Sequence, residues 1–332
     1  MKRVALLFIA GVVALALAAA LFGWWALYRP LGPALALEGV EPAPQEAARP
    51  ALLRPLVALV APQPQAQTTP VVCGQTGSVS LLILGLTSVP DSTQRGADAI
   101  RLVRADFDQN ALTVLALPPD LWLRTPGGQD EALTHAYWRA KRAASGGNPD
   151  AAATEALAQA ISDNFGFQPQ HYITIDQEVF AEVVDTLGGV KVDVPELVDG
   201  TQEGHGVFAA GEQFLDGERA RDYVRILQPG GAPPDEWGRF RRQNQVLQAA
   251  LEAALLPENW AKAPDLIAQF SDLVVTDLSL KQLIDLGCLM EAAGPSAALV
   301  QVEPGMMETD ARGRLWPAGE AVTDLIAASM RE

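Results

Sequence analysis

This chain is poor in histidine, cysteine and positive charge. Its three histidines, His135, His171 and His205, are scattered, so each reads as a structural or surface residue and a zinc enzyme is disfavoured. The Gly-x-Ser-x-Gly elbow, the His-Glu-x-x-His pair, the Walker loop and the glycine-rich dinucleotide fingerprint are all missing, which also counts against a serine hydrolase. Lysine and arginine number 24 against 40 aspartates and glutamates, for a net charge of -16. Such a surface repels DNA and RNA, so nucleic acid is not an expected partner, and any anion site must be a local cluster of cations. The two cysteines, Cys73 and Cys288, flank most of the folded region and have no histidine or cysteine neighbour at metal-ligand spacing. In an oxidising compartment they are expected to pair, the alternative being two separately buried thiols.

The 332 residues are 49% hydrophobic, enough for one large domain or two small ones. At the N-terminus, Met1-Lys2-Arg3 precedes an uncharged run from Val4 to Leu27, closed by Arg29-Pro30. A run of about 24 apolar residues spans a bilayer as a helix. Lys2 and Arg3 favour a cytoplasmic N-terminus, and Trp24 and Trp25 suit the far interface. Ala18-Ala19-Ala20 offers small residues for a cleaved signal peptide, but the run exceeds a usual signal core, so an uncleaved single-pass anchor is the reading. Either way the rest of the chain is exported. The expected organisation is a cytoplasmic stub and anchor over 1–28, a spacer rich in Pro, Ala and Gln over 29–74, and one domain over 75–332.

Within that domain Ser80–Gly85 is a short apolar run suited to a buried central strand, and Ile100–Ala105, Leu112–Leu117, His171–Ile175 and Val190–Val194 read as further strands. Helices are expected after Asn148-Pro149-Asp150, across Phe180–Leu187, from Asp216 through Tyr223-Val224-Arg225, and from about Trp237 to Leu255. Helical stretches near Leu280–Ala293 and Ala318–Met330 flank a strand-like Ala298–Val302. Strands alternating with helices predict an α/β (α+β sandwich) domain, with a central mixed β-sheet flanked by helices.

Arginine clusters late. Six fall between Arg219 and Arg242: Arg219, Arg221, Arg225, Arg239, Arg241 and Arg242. On the long helix Arg239, Arg242, Gln243 and Val246 follow i, i+3, i+4, i+7 spacing and share a face. Guanidinium groups bind phosphate bidentately, so a diphosphate is a natural ligand. The competing reading pairs these arginines with Asp222, Asp235 and Glu236, and spacing alone leaves both open.

Ordered motifs add a second line. They are the apolar strand Leu81–Gly85, Arg95-Gly96-Ala97-Asp98, Leu117-Pro118-Pro119-Asp120, and Leu187-Gly188-Gly189-Val190 through Val194-Pro195. Leu215-Asp216-Gly217-Glu218-Arg219-Ala220 with Tyr223-Val224-Arg225 follows, and then Trp237-Gly238-Arg239 with Arg242-Gln243. From Ser78 to the C-terminus this series resembles the LytR–CpsA–Psr (LCP) family of cell-wall glycopolymer transferases. The resemblance implies transfer of a glycopolymer or phosphopolymer from a polyprenyl-pyrophosphate carrier to peptidoglycan, with an apolar tunnel for the prenyl chain. It also implies that Arg95, Arg225, Arg239, Arg242 and Gln243 grip the pyrophosphate. Asp98, with Arg95 and Arg225 beside it, would be catalytic. Asp98 and Asp91 would hold Mg²⁺ (or Mn²⁺).

Departures from the pattern accompany the match. Thr87 stands where the family has an acidic residue, Pro119 replaces an arginine, Leu227 replaces a second arginine, and Ala132 replaces a basic residue. Losing a carboxylate and two guanidiniums would weaken cation binding and leaving-group stabilisation. The resemblance therefore carries three readings: an active transferase, a non-catalytic polyprenyl-phosphate or polymer-binding relative, and a pyrophosphate hydrolase.

Overall fold

The computed structural model describes residues 23–39, 73–87, 96–232, 235–254, 256, 259, 274–294 and 297–330. A six-stranded mixed sheet is built from β1 (Ser78–Leu86), β2 (Ala97–Asp106), β3 (Ala111–Leu117), β6 (His171–Asp176), β11 (Val274–Thr276) and β12 (Ala298–Gln301). The strand order is β11-β6-β1-β2-β3-β12. The β1-β2-β3 meander is antiparallel, whereas β6 joins β1 and β12 joins β3 in parallel. β1 is apolar on both sides because it lies within the sheet and both faces are covered.

Strand alternation divides the core. Leu82 and Leu84 of β1 and Ile100 and Leu102 of β2 face α1 (Leu133–Ala143), α2 (Pro149–Phe165) and α7 (Ala321–Met330), with Leu157, Ile161 and Ile326 closing that side. Leu81, Val103 and Ala105 face the other way, onto Leu278 and α6 (Leu280–Ala293). A second, smaller core forms where α3 (Gln177–Thr186), β7 (Val190–Val194), β10 (Gly211–Leu215), α4 (Gly217–Arg225) and α5 (Glu236–Ala254) meet around Val192, Phe208, Tyr223 and Val246. β10 pairs antiparallel with β7, and the short pair β8 (Val198–Asp199) and β9 (Val207–Phe208) lies in the connection between them. Two hairpins complete the fold: β4 (Trp122–Thr125) with β5 (Gln129–Ala132), and β13 (Met307–Thr309) with β14 (Leu315–Pro317).

Helix boundaries follow local chemistry. The Asn148 side chain accepts from the amides of Asp150 and Ala151 ahead of Pro149, and Gly166 closes α2 in the left-handed region at φ 70°. Ser279 and Gln282 form a reciprocal capping box at the start of α6.

The N-terminal segment departs from the expected spacer. Residues 30–38 lie along the β11 edge rather than projecting away from the domain. Pro30 bridges Ser279, the Leu31 amide donates to the Leu278 carbonyl at 3.1 Å, and the Tyr172 hydroxyl donates to the Pro33 carbonyl at 3.1 Å. Gly32 is required because a Cβ there would stand 2.5 Å from the Thr276 carbonyl oxygen. Proline and alanine composition suggested an extended chain, and the extended chain found an edge with unpaired backbone groups. The remainder of the spacer, 40–72, and residues 1–22 of the anchor lie outside the described residues. Among the described residues no helix is long and apolar enough to cross a membrane.

Cys73 and Cys288 are joined in a disulfide that closes a separation of 215 residues and ties the segment before β1 to α6. A loop of that length corresponds to about 5 kcal/mol of unfolded-state entropy in the chain-entropy model, near the top of the measured range. Replacing both cysteines with serine should cost about 2–5 kcal/mol and lower the melting temperature by roughly 5–15 °C, as read by thermal denaturation beside the oxidised protein.

Candidate diphosphate site

The start of β2, the β3–β4 turn, the end of α4 and the first turns of α5 converge on one cleft. Its walls include Pro119, Asp120, Glu236, Arg239, Phe240 and Gln243, around about 320 Å³ of empty space counting the open mouth.

Helix α5 is the main supplier. Asp235 precedes it, accepting from the Gly238 amide at 2.8 Å while its own amide donates to the Leu227 carbonyl at 2.7 Å. A Cβ on Gly238 would lie 1.7 Å from the Asp235 carboxylate and 3.0 Å from the Arg242 guanidinium, so glycine is needed where the cap and Arg242 crowd together. Arg239 then reaches the cleft, donating to Glu236 at 2.6 Å with Asp120 at 4.0 Å. One turn on, Gln243 donates from Nε2 to the backbone carbonyl of Asp98 at 3.3 Å.

Asp98 is the carboxylate at the centre of this arrangement. Burial pushes its pKa above the ordinary value; Arg239 and Arg225 pull it down and Asp120 pushes it further up. Thr87 donates its hydroxyl to the Asp98 carboxylate. Glu236 is also pushed up, first by burial and then by Asp120, against the pull of Arg239. Arg225, at the C-terminus of α4, makes no hydrogen bond or ion pair with the described residues, yet it lies close enough to act on Asp98 through its charge.

The expected site residues fall into three groups. Asp98, Arg225, Arg239 and Gln243 come together at or beside the cleft. Arg242 does not line it: it is buried, its guanidinium donates to the Ile226 carbonyl at the end of α4, and desolvation lowers its pKa. The shared-face expectation fails there because Arg242 points into the α4–α5 contact and holds the end of the helix that carries Arg225. Arg95 and Asp91 lie outside the described residues. Of the other clustered arginines, Arg219 stacks on Phe208 at 4.4 Å and Arg221 pairs with Glu178 at 2.8 Å, so both serve the second core. The ion-pair alternative holds for Arg239 with Glu236 and for Arg221 with Asp222 at 3.8 Å, and leaves the Arg225 side chain without an ion pair among the described residues.

Arg101 was missed by sequence reasoning. It is 6% exposed on β2, where its guanidinium donates to Ile100 O at 3.1 Å and to Gln243 Oε1 and Asn244 Oδ1, each at 3.2 Å, and stacks on Phe240 at 5.2 Å. Burial lowers its pKa to about 10, so it stays charged at neutral pH. The available signal was a cation inside the apolar stretch Ile100–Val103. Among the described residues no three His, Cys, Asp or Glu side chains converge as a metal site.

In the described residues an arginine-bearing helix is laid over a mixed sheet, beside the buried carboxylate of Asp98. Residues 60–303 match the LytR_cpsA_psr family, and the chain belongs to that family. It is 28% identical over 209 residues to the polyisoprenyl-teichoic acid–peptidoglycan teichoic acid transferase TagU of Bacillus cereus (strain AH820), covering 63% of each chain. The TagU of Bacillus anthracis is also 28% identical, over 210 residues. The chain thus spans about 63% of the length of the curated relatives it matches. Among solved structures, TagV of B. subtilis superposes with a TM-score of 0.61 at 20% identity, over 77% of this chain and 98% of that one. A LytR-Csp2A-Psr enzyme from Actinomyces oris superposes at 0.59 with 25% identity, over 77% and 92%. The mixed-sheet, single-domain expectation is borne out.

Desolvation of Asp98 has a stability consequence. A carboxyl whose folded pKa is raised favours folding most when protonated, so its penalty is absent below the unfolded value and grows as pH rises through the folded one. Asp98→Asn should therefore raise the melting temperature by roughly 2–4 °C at pH ~7, and the gain should vanish near pH ~3 in melts run across pH.

Proposed function

We propose that the protein transfers a glycopolymer or phosphopolymer from a polyprenyl-pyrophosphate carrier to a peptidoglycan hydroxyl, outside the cytoplasmic membrane. The observation that carries this reading is that Arg225, whose side chain has no partner among the described residues, and Arg239 both act on a desolvated Asp98. Relatives named as teichoic acid transferases support it. In this scheme Arg225 and Arg239 bind the non-bridging oxygens of the diphosphate, and Arg95 would join them. Asp98, whose pKa burial raises above the ordinary carboxylate value, takes the proton of the acceptor hydroxyl. The acceptor oxygen bonds to the polymer-linked phosphorus, the anhydride P–O bond breaks, and polyprenyl monophosphate leaves against the arginines. Gln243 holds the Asp98 backbone in place.

Asp98 would hold Mg²⁺ (or Mn²⁺) together with diphosphate oxygens, a donor set that magnesium accepts because it uses one or two carboxylates plus substrate phosphates. A divalent ion held there would supply charge neutralisation at the diphosphate. Asp91 would be the second carboxylate.

The same reading places the N-terminal helix in the membrane with its N-terminus cytoplasmic and the domain outside. Exposed Trp24 and Trp25, at 45% and 53%, and the disulfide support an exported, membrane-apposed domain.

One observation favours a second reading, binding without turnover: Thr87 supplies a hydroxyl to Asp98 where the resemblance leads one to expect a carboxylate. The full-length chain in mild detergent, given a polyprenyl-pyrophosphate glycolipid, peptidoglycan oligomers and Mg²⁺ or chelator, separates the two. The expected result is Mg²⁺-dependent transfer that Arg225→Ala lowers by about 10²–10³-fold. Arg225-dependent lipid binding without product would establish the binding relative, release of phosphate without acceptor the hydrolase, and absence of lipid binding would remove the diphosphate site.

A further inference from the structure

Beside the cleft the surface opens into a second groove, with about 440 Å³ of empty space counting its mouth, bordered by Trp122, Asn164, Trp316, Glu320 and Thr323 among others. The two are continuous along the chain. Asp120 and Leu315 border the cleft, while Trp122, two residues after Asp120 at the start of β4, and Trp316, next after Leu315 on β14, border the groove. A backbone bridge between Leu121 and Leu315 fastens the two strands there.

The indoles of Trp122 and Trp316 lie 6.0 Å apart, and the Arg314 guanidinium covers both at 4.8 and 5.3 Å. Arg314 is neutralised by Asp310 at 2.6 Å, and the Trp316 indole N–H donates to the same carboxylate at 3.3 Å. Partial burial pushes the Asp310 carboxyl up. Hydrogen bonds from the Arg314 and Arg312 amides, the Arg314 guanidinium and Trp316 outweigh it and hold the group at about 2. The aromatic platform is thus fixed in advance and carries no spare positive charge. The remaining polar side chains add acceptors and one hydroxyl: Asn164 spends its amide protons on the carbonyls of Arg124 and Ala160, leaving Oδ1, Glu320 is exposed, and Thr323 can donate or accept.

Indole faces take the apolar C–H face of a pyranose, and carboxylate and amide oxygens take its hydroxyl and acetamido protons. Such a surface repels a phosphate-bearing polymer. We propose that the Trp122–Trp316 groove is a subsite for an uncharged glycan, the strand that presents the acceptor hydroxyl to the cleft. The role of acceptor rests on the transferase reading, whereas glycan binding does not. The family match ends at residue 303, so the β13–β14 hairpin that brings Trp316 is built by chain beyond it.

Calorimetric titration of the full-length chain with an N-acetylglucosamine oligomer tests the subsite, with a polyglycerol phosphate oligomer as the anionic arm. The neutral oligomer should bind, and Trp316→Ala should weaken it about tenfold or more. Thr323→Arg fills the groove from α7 without touching the hairpin core and should weaken binding comparably, with an unchanged melting temperature. Neutral-oligomer binding that is absent, or indifferent to both substitutions, overturns the subsite, as does preferential binding of the anionic oligomer. Donor-lipid binding is measured in parallel. If it keeps its Arg225 dependence while the groove variants change nothing, the subsite alone fails. If the oligomer binds in the groove and the donor lipid does not bind, the transferase reading alone fails.

Discussion

A buried guanidinium fixes the geometry of this domain. Arg101 stands on a central strand with no carboxylate partner among the described residues, its charge shared among Ile100 O, Gln243 and Asn244 and the face of Phe240. An unpaired buried cation is expensive, and only a full set of acceptors makes it tolerable. Three of its four contacts come from α5, so satisfying Arg101 fixes where that helix lies on the sheet. Asn244 is held in turn by Gln301 of β12 at 2.8 Å, which ties the helix to the far edge as well. Once α5 is placed, Gln243 must meet the Asp98 backbone and Arg239 must face Asp120.

The cleft is overcharged in both senses. Asp98, Asp120 and Glu236 lie near one another, and two of them are pushed toward their neutral forms. Arg225 and Arg239 oppose them from the rim, and Arg242 and Arg101 lie behind. On the proposed reading a diphosphate entering this field would displace carboxylate neighbours from Arg239 and meet Arg225, whose side chain has no ion pair among the described residues. Preorganisation is thus uneven. Arg225 is ready, while Arg239 must exchange Glu236 for the ligand and binds it more weakly by the cost of that exchange.

Much of the fold was legible because it follows from periodicity. The meander strands, the capped α2 with its Asn148-Pro149 start and Gly166 stop, and the long α5 carry local signals that tertiary structure left intact. Short elements, such as the β4–β5 and β13–β14 hairpins, were not read, since three or four residues carry too little pattern. Site residues divide differently. Arg225, Arg239, Gln243 and Asp98 were named from motif order, and the fold brings them together. Arg242 misled because helical spacing gives a face and not its occupant: i and i+3 diverge enough for one arginine to enter the cleft and the other the α4 contact. Glu236 was read as a counter-ion to the arginines and is also a wall of the cleft.

The departures at the rim change the kind of electrostatics more than its sign. Where an arginine is expected at 119, Pro119 shapes a turn, its carbonyl accepting from the Thr134 amide at 2.9 Å. Where a second is expected at 227, the Leu227 amide is held by Glu203 at 2.9 Å. Neither position can touch phosphate with a charge. Arg101 keeps a positive charge beneath the same cleft, though as a field from within the sheet and not as a bidentate contact. A field raises affinity for any anion, whereas contacts fix the line of attack, so on the proposed transferase reading selectivity for in-line transfer would fall on Arg225 and Arg239.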